Sequence, residues 1–442
     1  MRRTMMILLA AMFSLTVVLS GCGGQKEAAT PTPTPKSSEK AEASSKPADQ
    51  PKKVVELKVS GFKSGSELGS IPEINDKFMK ENPEIKVTYE GMPGGQFADY
   101  IKTRLAAGDA SDVIMLHPGS EVVKYAKAGY LMDLSGEPWV QTFTKSTIGE
   151  ASSDSKTYGI PNDMVLLGIY YNKAIFDKLA LQPPTNWDEF LAACEKIKAS
   201  GVNPIAIGNN DGWMTLAALL EMTATMVYGK DADFDAKLNA RQVKFAGTWD
   251  ESVKNWYALA DKGYLTPKST GVSLEQAQQD FAQEKSAMYI DGSWSVGGIK
   301  SKNPNLKFGM FAMPANKKGE PIVVSASTGT TWVVNAKTTK AEAAKKYMAF
   351  WAKEETLISW TKSQGAFLTL QGKKGEVDPV FDLIANSLAS GKSQRFPDWD
   401  QSTAANSEMM KSAQGVYLKA LTPEQMLKNM DDAWDKAAKN QK

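Results

Sequence analysis

The chain has 442 residues, with 52 Lys+Arg against 50 Asp+Glu, two cysteines and a single histidine. A formal net charge of +2 offers no basic excess for a phosphate-rich partner, so nucleic acid is excluded as a ligand on charge. With so few cysteines and histidines, a zinc site built from them is excluded, and any Ser-His-Asp triad would have to pass through His117.

Arg2 and Arg3 form a basic tip, and positions 5–19 an apolar run of fifteen residues that gives way to small ones. This is the layout of a secretory signal, and it is shorter than the roughly 20 residues a membrane-spanning helix needs. Leu19-Ser20-Gly21-Cys22 resembles the bacterial lipobox, in which the cysteine thiol is acylated and the signal is cut away before it. The resemblance implies a signal peptide over 1–21 and a lipidated Cys22 that holds the mature protein at the extracellular face of the cell membrane. Loss of Arg2 and Arg3 with the signal brings the mature net charge to 0. Positions 23–53 carry no aromatic residue, only small, charged and proline-rich sequence, which predicts a disordered tether.

From position 54 the pattern changes. Val55, Leu57 and Val59 alternate as in a strand, and a polar loop follows over 61–69. Pro72 suits a first helical turn, Ile74 and Phe78 share a face, and Asn82-Pro83 ends the helix. Ile85, Val87 and Tyr89 alternate again, Phe97, Ile101 and Leu105 mark a second helix closed by Gly108, and positions 113–116 form a third apolar strand. Strands alternating with helices of this length predict an α/β body built on mostly parallel sheets with helices on both faces. Ligands of such sheets bind beyond the carboxyl ends of the strands, which singles out the loops at Phe62-Lys63-Ser64-Gly65 with Glu67, at 92–96, and at His117-Pro118-Gly119.

The second half repeats the style. A strand is predicted over 165–171, a helix over 173–179, and a further helix capped by Thr185 that runs to Gly201 and buries Cys194. The short strand 204–207 opens into Asn209-Asn210-Asp211-Gly212-Trp213, and the strand 287–290 into Asp291-Gly292-Ser293-Trp294. Of eleven tryptophans, Trp249, Trp256, Trp351, Trp360 and Trp434 sit in helical apolar patterns and are expected in the core. Trp213, Trp294, Trp332 and Trp399 sit in or beside polar, glycine-containing segments, where each could serve either packing or a ligand. An indole face covers the C–H face of a pyranose, while nearby carboxylates and amides accept from its hydroxyls.

Tyr158-Gly159-Ile160-Pro161, Tyr170-Tyr171-Asn172-Lys173, Gly129-Tyr130-Leu131, Asp291-Gly292-Ser293-Trp294 and Thr331-Trp332-Val333-Val334 together resemble the extracellular solute-binding proteins (family 1) of carbohydrate ABC transporters, the maltodextrin-binding class. The resemblance spans about 54–442. It implies a two-lobed, periplasmic-binding-protein-like fold with a multi-segment hinge, crossing near 161–165, 322–328 and 363–368. The lobes would be 54–162 plus 325–365 and 163–324 plus 366–442. A sugar would lie between them, and membrane permease subunits would receive it from a monomeric binding protein with no cofactor, no metal and no catalysis. Carried onto this chain, the ligand-binding set is Lys63, Ser64, Glu67 and His117 from the first lobe, Asn162 and Asp163 at the hinge, and Asp211, Trp213, Asp291 and Trp294 from the second. Arg395, Asp398 and Trp399 would close the site from the late second lobe, with Trp332 as a further aromatic candidate. Trp294 leads the set, because it matches the family's stacking position.

Two rivals remain at this stage. A lipid-anchored glycoside hydrolase needs two carboxylates roughly 5–9.5 Å apart across a cleft, and Glu67, Asp163, Asp211 and Asp291 supply the inventory. A solute-binding protein for a polyamine or peptide is compatible with the same Trp and Asp residues. No Gly-x-x-x-x-Gly-Lys-Ser/Thr loop occurs, so ATP hydrolysis is assigned to a separate subunit.

Overall fold

The computed structural model describes residues 54–373, 375–390, 392–395 and 403–439. The expected signal peptide, Cys22 and tether lie outside the described residues, as do Asp398 and Trp399.

The first sheet is built by the alternating segments at the start of the body. Strand β1 (Val55–Gly61) buries Leu57 and Val59 and exposes Lys58 between them. The helix Ile71–Glu81 carries Pro72 in its first turn and buries Ile71, Ile74 and Phe78. It ends at Asn82, whose side-chain amide donates to the Phe78 carbonyl at 3.0 Å. Strand β2 (Ile85–Gly91) pairs parallel to β1 from Val55↔Ile85 to Gly61↔Gly91. The helix Gly94–Ala107 stops at Gly108, whose φ of 79° only glycine adopts freely. Strand β3 (Val113–Leu116), buried throughout, then takes the other side of β1.

Short strands β4 (Ser152–Ser153) and β5 (Lys156–Thr157) form a separate antiparallel pair. Strand β6 (Gly159–Pro161) ends the first lobe's first stretch of chain, and β7 (Met164–Asn172) begins the second sheet. That sheet adds β8 (Asn203–Ala206), β9 (Ser286–Gly292), β10 (Phe308–Phe311) and β11 (Val323–Thr328). Strand β12 (Thr331–Val334) returns to the first sheet, and β13 (Lys392–Gln394) completes the second. The orders are β2-β1-β3-β12-β6 and β13-β11-β7-β9-β8, with β10 also on β7.

The two-lobed α/β architecture is therefore present, but the sheets are mixed rather than mostly parallel. Strand β12 runs antiparallel to both β3 and β6, and β7 runs antiparallel to β9, β10 and β11. Strand β12 reverses on re-entering the first sheet, whereas β9 and β10 reverse on β7 without leaving the second, and local alternation along the chain records neither. A smaller correction concerns Thr185. Asn186 caps the helix Trp187–Ala199 by accepting from Glu189 N, while Thr185 donates its N–H and hydroxyl to the Glu189 carboxylate.

Each lobe has its own core. One surrounds Leu57, Phe78, Ile114, Trp332, Trp351 and Trp360, and the other packs Ile169, Phe190, Cys194, Trp249 and Trp256 on the opposite sheet. The five tryptophans expected in the core are all buried, and burial pushes the Cys194 thiol up, which suits an inert packing residue.

The lobes are joined where strands change sheet. The chain passes from β6 to β7 through Asn162-Asp163 and returns from β11 to β12 through Gly329-Thr330. The second passage lies later than expected, since β11 pairs with β7 through Thr328 and so keeps 325–328 in the second lobe. A third segment follows the helix Glu354–Ser363, where Phe367 bridges Met164 and Leu370 bridges Phe143. Leu370 belongs to the first lobe's core, so that lobe extends past the expected boundary at 365.

Candidate ligand-binding cleft

The loops beyond the carboxyl ends of β1, β3 and β9 meet one another beside the third passage, through Lys63 and Trp294, His117 and Phe62, and Gln364 and Glu67. Asp163 ties the first two passages to each other and to the helix Glu354–Ser363 that leads into the third. Its Oδ1 accepts from the Thr330 N–H at 2.8 Å and hydroxyl at 3.0 Å, and its Oδ2 accepts from the Trp360 indole at 3.0 Å. Gly329 donates its N–H to the Asp163 carbonyl, and a Cβ on Gly329 would stand 2.8 Å from Val165 and 2.9 Å from Asp163 Oδ1, so only glycine fits. Burial pushes the Asp163 carboxyl up, while the Lys63 charge and the Thr330 and Trp360 bonds pull it down.

Asp163 is 1 % exposed and Asn162 0 %, and the structure shows both engaged within the hinge. Asn162 donates its side-chain amide to Thr330 Oγ1 at 3.1 Å. Both residues form the knot of the hinge, because a polar group buried between strands is retained where it finds partners.

Asp291, at the end of β9, is also withdrawn from the cleft surface. It is fully buried and accepts from the Tyr289 and Ser295 hydroxyls and from Gly292 N. Burial raises its carboxyl from 3.8 to about 6, against those three bonds, and the charge of Glu67 adds to the rise. Glu221, on the helix Gly212–Thr223, is 2 % exposed and neither oxygen accepts a hydrogen bond among the described residues. Burial first, then the Asp291 charge, pushes its carboxyl well above the usual range. Asp291 thus orders the turn that carries Trp294.

Trp332 is the clearest correction. Its indole is fully buried in β12 between Tyr89, Tyr347 and Trp351, so it is a core residue.

What the structure does bring together is Lys63, Glu67 and Trp294. The Lys63 ammonium stands 3.3 Å from Glu67 Oε2 and 5.7 Å from the ring centroids of Phe62 and Trp294. Lys63 and Glu67 follow β1 of the first lobe, and Trp294 follows β9 of the second, so this contact spans the cleft. Ser64, half-buried, opens the single 3-10 turn Gly65–Glu67. Gln364, in the third passage, donates to the Glu67 carbonyl at 3.1 Å. His117, exposed after β3, stacks on Phe62 with ring centroids 4.1 Å apart. Phe62 belongs to the loop expected to face a ligand but not to the expected ligand-binding set. Its one legible signal was an aromatic residue immediately after a strand.

The remaining candidates lie apart from this group. Asp211 is exposed and caps its helix by accepting from Trp213 N at 3.0 Å, while Trp213 is half-buried against the second core. Arg395 pairs with Glu150 of the first lobe, Nε to Oε2 at 3.3 Å, beside an open cavity of about 440 Å³ that Gly119, Ser120 and Ser146 also line. Among the described residues no cluster of three or more His, Cys, Asp or Glu could hold a metal, and no helix is long and apolar enough to cross a membrane.

A model of the bacterial extracellular solute-binding protein family matches residues 64–357. The chain belongs to this family. Among its relatives the solute-binding protein is 29 % identical over 323 residues to the multiple sugar-binding protein of Streptococcus mutans, covering 71 % of this chain and 76 % of that one. Its fold matches a chitin oligosaccharide binding protein with a TM-score of 0.77 at 23 % identity, covering 87 % of this chain and 99 % of the other. It matches the binding protein RafE in complex with raffinose with the same score and identity, covering 87 % and 100 %. The family is one of extracellular binding proteins, not enzymes. That agrees with the two most buried cleft carboxylates, Asp163 and Asp291, being engaged by the protein's own donors.

Proposed function

We propose that this solute-binding protein is the lipid-anchored carbohydrate receptor of an ABC importer. A sugar or oligosaccharide is captured between the lobes, stacked on Trp294, and passed to the permease subunits from the closed form. The single observation that supports this most is Trp294, a half-buried indole at the end of β9, facing polar groups of the opposite lobe across the cleft. Lys63, Ser64, Glu67 and His117 line the facing wall, and Asp211 with Trp213 extends the second-lobe wall. The segment carrying Arg395 approaches from the rim through Glu150.

Closure is a hinge motion about the three passages, two of which Asp163 holds together, with ligand touching both lobes only when they close. Cys22 anchors the monomeric receptor by lipid at the extracellular face of the cell membrane, and the proline-rich stretch to position 53 spaces the body from it.

The test is thermal unfolding of the full-length protein with raffinose, stachyose, maltodextrins and chitin oligosaccharides, alongside spermidine and short peptides. A ligand present at 100 times its dissociation constant adds about 2.7 kcal/mol to the folded state, which a melting curve resolves. One sugar class is expected to raise the transition, and at the same ligand concentration the stabilisation is expected to fall to about half in Trp294→Ala. A shift by spermidine or peptide alone would overturn the carbohydrate reading.

A further inference from the structure

The Lys63 side chain is 8 % exposed, although it lies in the loop that follows an edge-proximal strand and carries a full charge. Its backbone is fixed in place. The Tyr89 hydroxyl donates to the Lys63 carbonyl at 2.8 Å, and that carbonyl lies so close over Gly91 that a Cβ there would stand 2.3 Å from it. Only the four-carbon stem of Lys63 is free to move, and it points its ammonium at Trp294 of the other lobe.

Trp294 has little surface left to offer. The benzo half of its indole lies against Gly292, where a Cβ would meet the ring at 2.2 Å, and the ring packs partly on the second core. A cation over the ring and a sugar C–H face draw on the same π surface.

We propose that Lys63 is an internal occupant of the Trp294 face, which a sugar must displace, so that Lys63 draws the empty lobes together and lowers the apparent affinity. The proposal rests on the reading of the cleft as a sugar site. A self-occupied form competes with ligand, and the apparent affinity falls by the fraction of molecules that are not self-occupied. Glu67 is the resting partner that holds the ammonium when it leaves the ring, since its carboxylate already stands within 3.3 Å.

Two variants of the full-length protein test this. Lys63→Met keeps an unbranched apolar stem and removes the charge, and Lys63→Arg keeps a cation able to stack. Without ligand, Lys63→Met is expected to show a larger radius of gyration by small-angle scattering than wild type, and Lys63→Arg the wild-type value. In calorimetric titrations with raffinose, stachyose and chitin oligosaccharides, Lys63→Met is expected to bind about three- to thirtyfold tighter. Weaker or unchanged binding in Lys63→Met would overturn the displacement, because Lys63 would then contact the sugar or do nothing to it. An unchanged radius of gyration would overturn the bridging of the lobes. If no sugar binds any of the three proteins, the carbohydrate reading falls, and the scattering comparison still decides whether Lys63 ties the lobes.

Discussion

Trp294 and Trp332 look alike in the chain and do opposite work in the fold. Both follow or occupy a strand, and both have hydroxyl and glycine neighbours, serine and glycine at Trp294 and threonine and glycine at Trp332. Trp332 is the second residue of β12, an interior strand with β3 on one side and β6 on the other, so its indole is enclosed by Tyr89, Tyr347 and Trp351. Trp294 stands two residues past the end of β9, where no partner strand continues, and packs on the core by one part while the rest faces Lys63. The difference teaches that polar neighbours do not expose a tryptophan. The number of strands flanking it does.

The largest effect expected from this contrast is in Trp332→Ala, which removes a fully buried indole and should lower the unfolding free energy by about 3–5 kcal/mol. Urea unfolding would measure it, and a loss no greater than that of Trp294→Ala would erase the distinction between the two sites. Next in size is the pH response of Asp291, the buried acid that orders the Trp294 turn. Its folded value of about 6 exceeds the ordinary 3.8, so the fold binds this proton more tightly than the unfolded chain does. The contribution is fully present below pH 3.8 and is lost as pH rises through about 6, a change of roughly 3 kcal/mol. The stability of wild type relative to Asp291→Asn should therefore fall as pH is raised across that window. A flat difference would mean that the carboxyl is not buried in solution.

Trp294→Ala itself should weaken sugar binding by roughly tenfold, with a stability loss less than half that of Trp332→Ala. Isothermal titration set beside the urea curves would separate the two. The smallest effect belongs to the rim. Arg395→Ala breaks a partly exposed ion pair with Glu150 and should change stability by no more than about 1 kcal/mol, with added salt reducing the difference further. A larger loss would move the interlobe tie from the centre of the cleft to its edge.

Much of the first lobe was legible because its strands and helices alternate with clear periods. Leu57 and Val59, Phe97, Ile101 and Leu105 are all buried where the pattern placed them. Lys63, Glu67 and Trp294 were legible as loop residues at strand ends, though not as one group. The roles of Asp163 and Asp291 were not legible, because a carboxylate beside a glycine reads the same whether it faces a ligand or three donors of its own chain. Those donors, Thr330 and Trp360 for Asp163, lie 167 and 197 positions away.

The sequence by itself determined the alternating α/β segments, which tryptophans belong to helical cores, and the absence of any charge or metal-ligand inventory for nucleic acid or zinc. Those properties depend on residue type and near-neighbour spacing, which the chain states directly. Only the tertiary structure decided that the sheets are mixed, that Asn162 and Asp163 knot the passages between lobes, that Trp332 is enclosed, and that Lys63 lies against Trp294. Each of these depends on which distant strands become neighbours, and burial and hydrogen bonding are settled by those neighbours rather than by the residues alongside in the chain.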